Sequence, residues 1–311
     1  MSLVINTNLG ALNAQSALTS NATNLTQAMQ RLSTGSKLNS ASDNAAGNAI
    51  SARMTSQLDG YATATQNTND AISMVQTAAN DMGNIVGYLQ KIRELAVQAS
   101  SGTNAASDRV SLNAEAQQML QEIDRVANSA KFNNISLLQG TTPASYADGV
   151  PFTGTQIKVQ VGADAGENDQ ITISLANTTS GMLGVGDSSV SDGHSSGNVS
   201  DMDLTAVDAT TGAWTGTTAT GTNILDTLDV AIQQVSDAQA ELGATQNRLA
   251  TTVNYLASNT TNLSAAQSRV ADTDYSAETS RLSRSQIIQQ AATAMLAQAN
   301  QQPQQVLSLL K

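Results

Sequence analysis

The chain has 311 residues, 40% apolar but only 3% aromatic, with no cysteine and a single histidine, His194. That composition excludes a disulfide framework, a thiolate metal site and a paired-histidine metal site, and it favours long helices meeting along small aliphatic seams. Of the net charge of -11, residues 141–222 carry nine acids against one base, Lys158, and such an acidic surface repels a phosphate backbone, which argues against nucleic acid.

The N-terminal segment, MSLVINTNLGALNAQ, has neither the basic leader nor the unbroken apolar run of a Sec-type signal. No stretch approaches the ~20 apolar residues of a membrane span. Taken alone this reads as soluble and cytoplasmic. Val4, Ala11, Leu18, Leu25 and Leu32 then recur every seven residues, predicting an amphipathic helix poor in charge. A second, longer helix is predicted from Ile50, Met54, Tyr61, Ala64, Ala71, Val75, Ala78, Met82, Ile85, Leu89, Ile92, Ala96 and Ala99, with weaker members at Gln57 and Thr68. The polar run SSGTN around Gly102 turns the chain, and Ser107 is the expected N-cap of a third helix reaching to about 128.

The middle differs in kind. From Gly140 to about Gly221 it is rich in Gly, Ser, Thr and Asp, with alternating segments at 156–161 and 170–175 that predict a β-hairpin. Residues 178–220 read as a small outer domain or exposed loops. Heptad order then returns: Leu228, Val235, Leu242, Leu249, Leu256, Leu263 and Val270 define one narrow stripe, the seam of a long coiled-coil helix. At ~1.5 Å per residue, about 45 residues make a rod of roughly 65–70 Å. Ile288, Ala292, Met295, Ala299, Val306 and Leu309 continue the pattern through Gln302, with Pro303 expected to weaken the last helix. Neither end offers an apolar face wide enough to be stable alone, so both are expected to be marginal until they associate.

Few residues carry chemistry. His194 sits in the polar SDGHSSG without an apolar framework to hold a nucleophile against it, and no GxSxG, Walker A, GxGxxG or HExxH motif occurs, so no enzyme and no cofactor is expected. Asp164, Glu167 and Asp169 could ligate calcium, but they lack the EF-hand alternation, and an acidic hairpin turn is the simpler reading. Two charged groups, Lys91, Arg93 and Glu94, then Glu122, Asp124 and Arg125, lie off the apolar stripes, as a solvated face or a lateral surface for a neighbouring copy.

Longer motifs are more specific. Ile5-Asn6-Thr7-Asn8, Leu12-Asn13-Ala14, Arg31-Leu32-Ser33-Thr34-Gly35, Leu38-Asn39-Ser40-Ala41 and Asp43-Asn44-Ala45-Ala46-Gly47 resemble the N-terminal region of bacterial flagellins. So do Ile92 to Gln98, Glu122-Ile123-Asp124-Arg125 and Phe132-Asn133. At the other end, Arg269 to Tyr275, Ala297-Gln298-Ala299-Asn300-Gln301 and Pro303 to Leu310 are similar as well. The resemblance covers roughly 1–140 and 223–311.

The resemblance implies a mainly α protein with a small β region: a long antiparallel helical coiled-coil rod formed by both chain ends, with a β-hairpin-rich central insertion. It divides the chain into 1–44 and 273–311 as an inner terminal coiled coil, 45–140 and 223–272 as a helical rod, and 141–222 as an outer region. It implies a structural subunit that self-assembles into the hollow filament of the bacterial flagellum, exported without a cleaved leader by a type III apparatus. The filament core interface would then use Val4, Ala11, Leu18, Leu25, Leu32, Ile288, Ala292, Met295, Ala299, Val306 and Leu309. The rod seam would use Met54, Tyr61, Val75, Met82, Leu89, Leu228, Val235, Leu242, Leu249, Leu256 and Leu263. A cytoplasmic export chaperone would hold Ile287, Ile288, Met295, Leu296, Val306, Leu307 and Leu310. The animal Toll-like flagellin receptor would meet Lys91, Leu95 and Glu115, with Lys91 where the family more often has Arg. Filament cap and hook-junction proteins are further implied partners. Two alternatives stay open: a hook–filament junction protein, and a surface adhesin whose middle binds a glycan on Trp214.

Overall fold

The computed structural model describes residues 8–140, 155–181, 183, 204 and 223–309, the last eight by their backbone only. Five helices dominate: α1 (Leu9–Thr34), α2 (Ala45–Ala99), α3 (Ala106–Ser129), α4 (Ile224–Ala271) and α5 (Tyr275–Leu309). Two small antiparallel hairpins accompany them, β1 (Lys131–Phe132) with β2 (Ile135–Ser136), and β3 (Thr155–Gln160) with β4 (Gln170–Leu175). The chain is mainly α with a small β region. His194 and Trp214 lie outside the described residues.

The helices group into two units, residues 60–258 and residues 1–59 with 259–311. In the first, the apolar stripe of α2 closes on that of α4: Val75, Met82 and Leu89 are buried, as are Leu228, Val235, Leu242, Leu249 and Leu256, while Tyr61 is half-buried. Polar bonds fix the two helices antiparallel. Gln239 donates to the Ala79 carbonyl at 3.2 Å, and Arg93 Nε meets Asp229 Oδ1 at 2.6 Å. Ala116, Leu120 and Ile123 seat α3 on the same core. Removing these narrow side chains from water stabilises the bundle by ~25 cal/mol per Å² of apolar surface, which many small residues supply without large aromatics.

One expected cap is corrected. Ala105, not Ser107, holds the N-cap position of α3, in extended backbone, and the Asp108 carboxylate accepts the Ala105 N–H at 3.1 Å. Asp108 answers an unpaired terminal donor and places negative charge at the helix's positive end, so a serine cap is not needed there.

In the β3–β4 hairpin, Ile157 faces Ile173 and Val159 faces Ile171, with Lys158 and Thr172 on the opposite face. The hairpin rests on α2. Asn67 Nδ2 reaches the Gln160 carbonyl at 3.4 Å, and Gly60 lies so close that a Cβ there would stand 2.7 Å from the Ala163 Cβ. The turn of β1–β2 carries both Asn133 and Asn134 at positive φ, the backbone that a two-residue hairpin loop requires.

In the second unit, α1 ends at Gly35, whose φ of +72° provides the left-handed cap. There the two breaks in helical structure are bridged: Thr273 N–H donates to the Gly35 carbonyl at 2.9 Å and Lys37 N–H to the Ala271 carbonyl at 2.8 Å. Gln267 donates to Thr55 at 2.7 Å, and Met54 and Leu263 are half-buried. α1 and α5 run antiparallel against each other, and the α1–α5 pair is the candidate site.

Candidate assembly interface

The heptad of α1 places Ala11, Ala14, Leu18, Asn21, Leu25, Ala28 and Leu32 on one face, and all seven are buried or half-buried. The facing stripe of α5 is Glu278, Leu282, Ser285, Gln289, Ala292, Leu296 and Ala299, at alternating steps of four and three. Hydrogen bonds set the alignment. Asn8 Nδ2 donates to the Ala299 carbonyl at 2.7 Å, Asn21 Nδ2 to the Ser285 carbonyl at 2.7 Å, and the Tyr275 hydroxyl to the Leu32 carbonyl at 3.1 Å.

The residues expected at a filament core therefore divide. Ala11, Leu18, Leu25, Leu32, Ala292 and Ala299 form the seam between α1 and α5, whereas Ile288 and Met295 point away from it. Val4 and the side chains of Val306 and Leu309 lie outside the description. Counting apolar residues alone missed Asn21, Leu282, Ser285 and Gln289. Their signal was the unbroken heptad step, which passes through small and polar positions because a close helix approach needs small residues more than greasy ones.

Outside the seam the pair keeps a second apolar set. On α1, Leu9, Leu12 and Met29 are exposed, Leu12 by 63%. On α5, Ile287 and Met295 are 66% and 65% exposed and Ile288 is exposed as well. Ile287 and Ile288 line a shallow groove with Thr279, Ser280, Ser283 and Arg284. Apolar side chains of this size left exposed on structured helices are candidates for contact with another surface.

The predicted receptor patch is split by burial. Lys91 and Glu115 are exposed, but Leu95 is only 3% exposed and belongs to the core. Lys91 Nζ bonds Glu94 Oε2 at 2.8 Å, and this bond, with the charges of Glu94 and Glu115, raises the lysine above its usual range. Among the described residues no group of three or more His, Cys, Asp or Glu side chains is placed to hold a metal ion, and Asp164, Glu167 and Asp169 lie between β3 and β4. No helix of the described residues is long and apolar enough to cross a membrane.

Paired terminal helices that keep exposed apolar side chains outside their seam, in a chain whose other unit is also mainly helical, define a long-helix structural protein. Comparison with known proteins gives the family. The models for the bacterial flagellin N-terminal helical region and C-terminal helical region match residues 5–142 and 225–310. The chain is 40% identical to a flagellin of Bacillus subtilis (strain 168), with 99% of each chain covered. It is 41% identical to a flagellin of Xenorhabdus nematophila, covering 100% of both, and 36% identical to one of Halalkalibacterium halodurans, covering 99% of this chain and 100% of the relative. The chain belongs to the bacterial flagellin family. It is a structural subunit of the extracellular flagellar filament and not an enzyme.

Proposed function

We propose that the subunit polymerises by laying the outward apolar face of its α1–α5 pair against neighbouring copies, so that 1–44 with 273–311 line the filament core. The observation that carries this reading is the exposure of large apolar side chains on both helices, Ile287, Ile288 and Met295 on α5 and Leu9, Leu12 and Met29 on α1. A contact of that kind joins different patches on successive copies, and repeated along a screw axis it grows a filament rather than a closed ring. Residues 45–140 with 223–272 then pack around the core, and 141–222 face outward, where the acidic charge meets solvent.

The same α5 residues suit a second, earlier partner. Ile287, Ile288 and Met295 are open to a cytoplasmic export chaperone before assembly, with Leu296, Val306, Leu307 and Leu310 completing the segment, and the subunit then leaves by type III export without a cleaved leader. Lys91 and Glu115 form the accessible part of a surface for the Toll-like receptor, with Leu95 supporting it from beneath. Cap and hook-junction proteins meet the filament at its ends.

The test is electron microscopy of the full chain after seeding with short filaments. The parent is expected to grow long uniform filaments. A variant carrying Ile288→Asp and Met295→Asp is expected to stay monomeric with its helical circular dichroism intact, because two charges would have to be buried without partners. Parental filaments from that variant would overturn the reading.

A further inference from the structure

α5 runs as a helix through Pro303, its one proline. Proline has no N–H, so the carbonyl four residues earlier, on Ala299, lacks its usual intrahelical donor. Asn8 supplies what is missing, through the 2.7 Å bond from its Nδ2 to the Ala299 oxygen. The other end of the same amide is occupied too: Oδ1 accepts the Ala11 N–H at 3.0 Å and caps α1. One side chain thus completes the first turn of α1 and answers the open carbonyl of α5. The pairing needs an acceptor and a donor on one short side chain, which asparagine has and aspartate lacks.

The apolar layers do not choose a register by themselves. In the observed alignment Leu18 lies level with Gln289 and Leu25 level with Leu282. A slip of one heptad toward the start of α5 sets Leu18 level with Leu282 and Leu25 with Tyr275, which again gives each leucine an apolar partner. The polar bonds differ: every other carbonyl in the middle of α5 is answered within the helix, so the slipped Asn8 finds no open acceptor. Buried or half-buried asparagines are known to set helix register in this way, at some cost in stability. Asn21, 6% exposed, adds a second bond where Ser285 lets it approach the backbone.

We propose that Asn8 is the register-determining residue of the terminal helix pair, acting on the Ala299 carbonyl that Pro303 leaves open. This does not depend on how copies pack together. The chain has no cysteine, so engineered pairs report register directly in the full-length protein. Ala14→Cys with Ala292→Cys reads the observed alignment, and Ala14→Cys with Ser285→Cys reads a one-heptad slip. In the parent the first disulfide is expected to exceed the second about tenfold. Asn8→Asp, which keeps the cap but loses the donor, is expected to lower that ratio at least about threefold. In a Pro303→Ala background, where residue 303 again provides an N–H, Asn8→Asp is expected to leave the ratio unchanged. An unchanged ratio in the parent background, or an equal fall in both backgrounds, overturns the proposal. So does a slipped disulfide that dominates in the parent. Seeded filament growth is scored separately, so failure of the assembly reading leaves the disulfide ratios to be read on their own.

Discussion

Gln27 and Asp43 meet across 2.8 Å, Nε2 donating to Oδ1, and tie the middle of α1 to the loop that leads into α2. The second carboxylate oxygen accepts the backbone N–H groups of Asn39 and Ser40 at 3.1 and 2.9 Å, and Arg31 stands 3.7 Å from the first. With the Ser40 hydroxyl, which also donates to the second oxygen at 3.1 Å, four hydrogen-bond donors converge on one side chain. They favour the ionised form, led by the Gln27 bond, and hold the Asp43 carboxyl down to about 2 from its ordinary 3.8.

The sign of the pH dependence follows. A carboxyl depressed in the folded state binds fewer protons there than in the unfolded chain, so its contribution is fully present above 3.8 and is lost as pH falls through about 2. In an NMR titration, the Asn39 and Ser40 amides of the full chain are expected to keep their shifts at pH 3. In Asp43→Asn they are expected to be displaced already at neutral pH. A midpoint near 3.8 in the parent would show that the donors do not act on this carboxylate as described.

Gly60 sits in the interior of α2, where alanine would ordinarily add up to about 1 kcal/mol of stability. Its place under the hairpin reverses that sign. An added Cβ would stand 2.7 Å from the Ala163 Cβ and 3.2 Å from its Cα, a contact made on backbone that has little room to yield. Gly60→Ala is therefore expected to lower the urea midpoint and loosen β3–β4. Gly87→Ala, which meets nothing within 4 Å, is expected to raise it. Equal stabilisation by both substitutions would mean that the hairpin does not rest on α2 at Gly60.

The contrast between these glycines marks what can be read from a sequence. The stripe from Leu228 to Leu256 is legible because every step of seven falls on an apolar residue that the structure buries. The hairpin is legible because Gln156 to Val161 alternates. Local chemistry says nothing of Ala163 lying on Gly60, nor of Asn8 answering Pro303, since each joins residues far apart in the chain. In α5 the inner positions facing α1 are held by residues such as Ser285 and Gln289 while Ile288 and Met295 lie outward, a division that apolar spacing within one helix does not reveal. Leu95, three residues after Ile92 and four before Ala99, is legible by the same spacing as part of the buried stripe.

Asp124 holds the segment after β4 to α3. Its two oxygens accept the Ser180 N–H and hydroxyl, each at 2.8 Å, and Ser180 is buried. Asp124→Ala leaves both donors without a partner, which is expected to cost about 1–3 kcal/mol in a urea melt. Its neighbour Arg125 pairs with Glu122 at the surface, where each raises or lowers the other's titration without much effect on folding. Arg125→Ala is expected to change stability by less than about 1 kcal/mol. Equal effects from the two substitutions would count against the Ser180 clip.

Removing residues 1–42 and 273–311 separates folding from polymerisation. The large buried cluster, from Ala71 in α2 to Leu249 in α4, lies wholly within the unit of residues 60–258, so its stabilisation does not require the chain ends. The truncated protein is expected to keep strong helical circular dichroism, melt cooperatively and sediment as a monomer. Without α1 and α5 it loses Leu9, Leu12, Met29, Ile287, Ile288 and Met295 together, and with them the exposed apolar face on which growth is expected to depend. Mixed with filament seeds it should add nothing to their length under the electron microscope. Seeds that elongate with the truncated subunit would place the assembly contacts in residues 43–272 and move the search to the exposed Val97, Val110 and Tyr255.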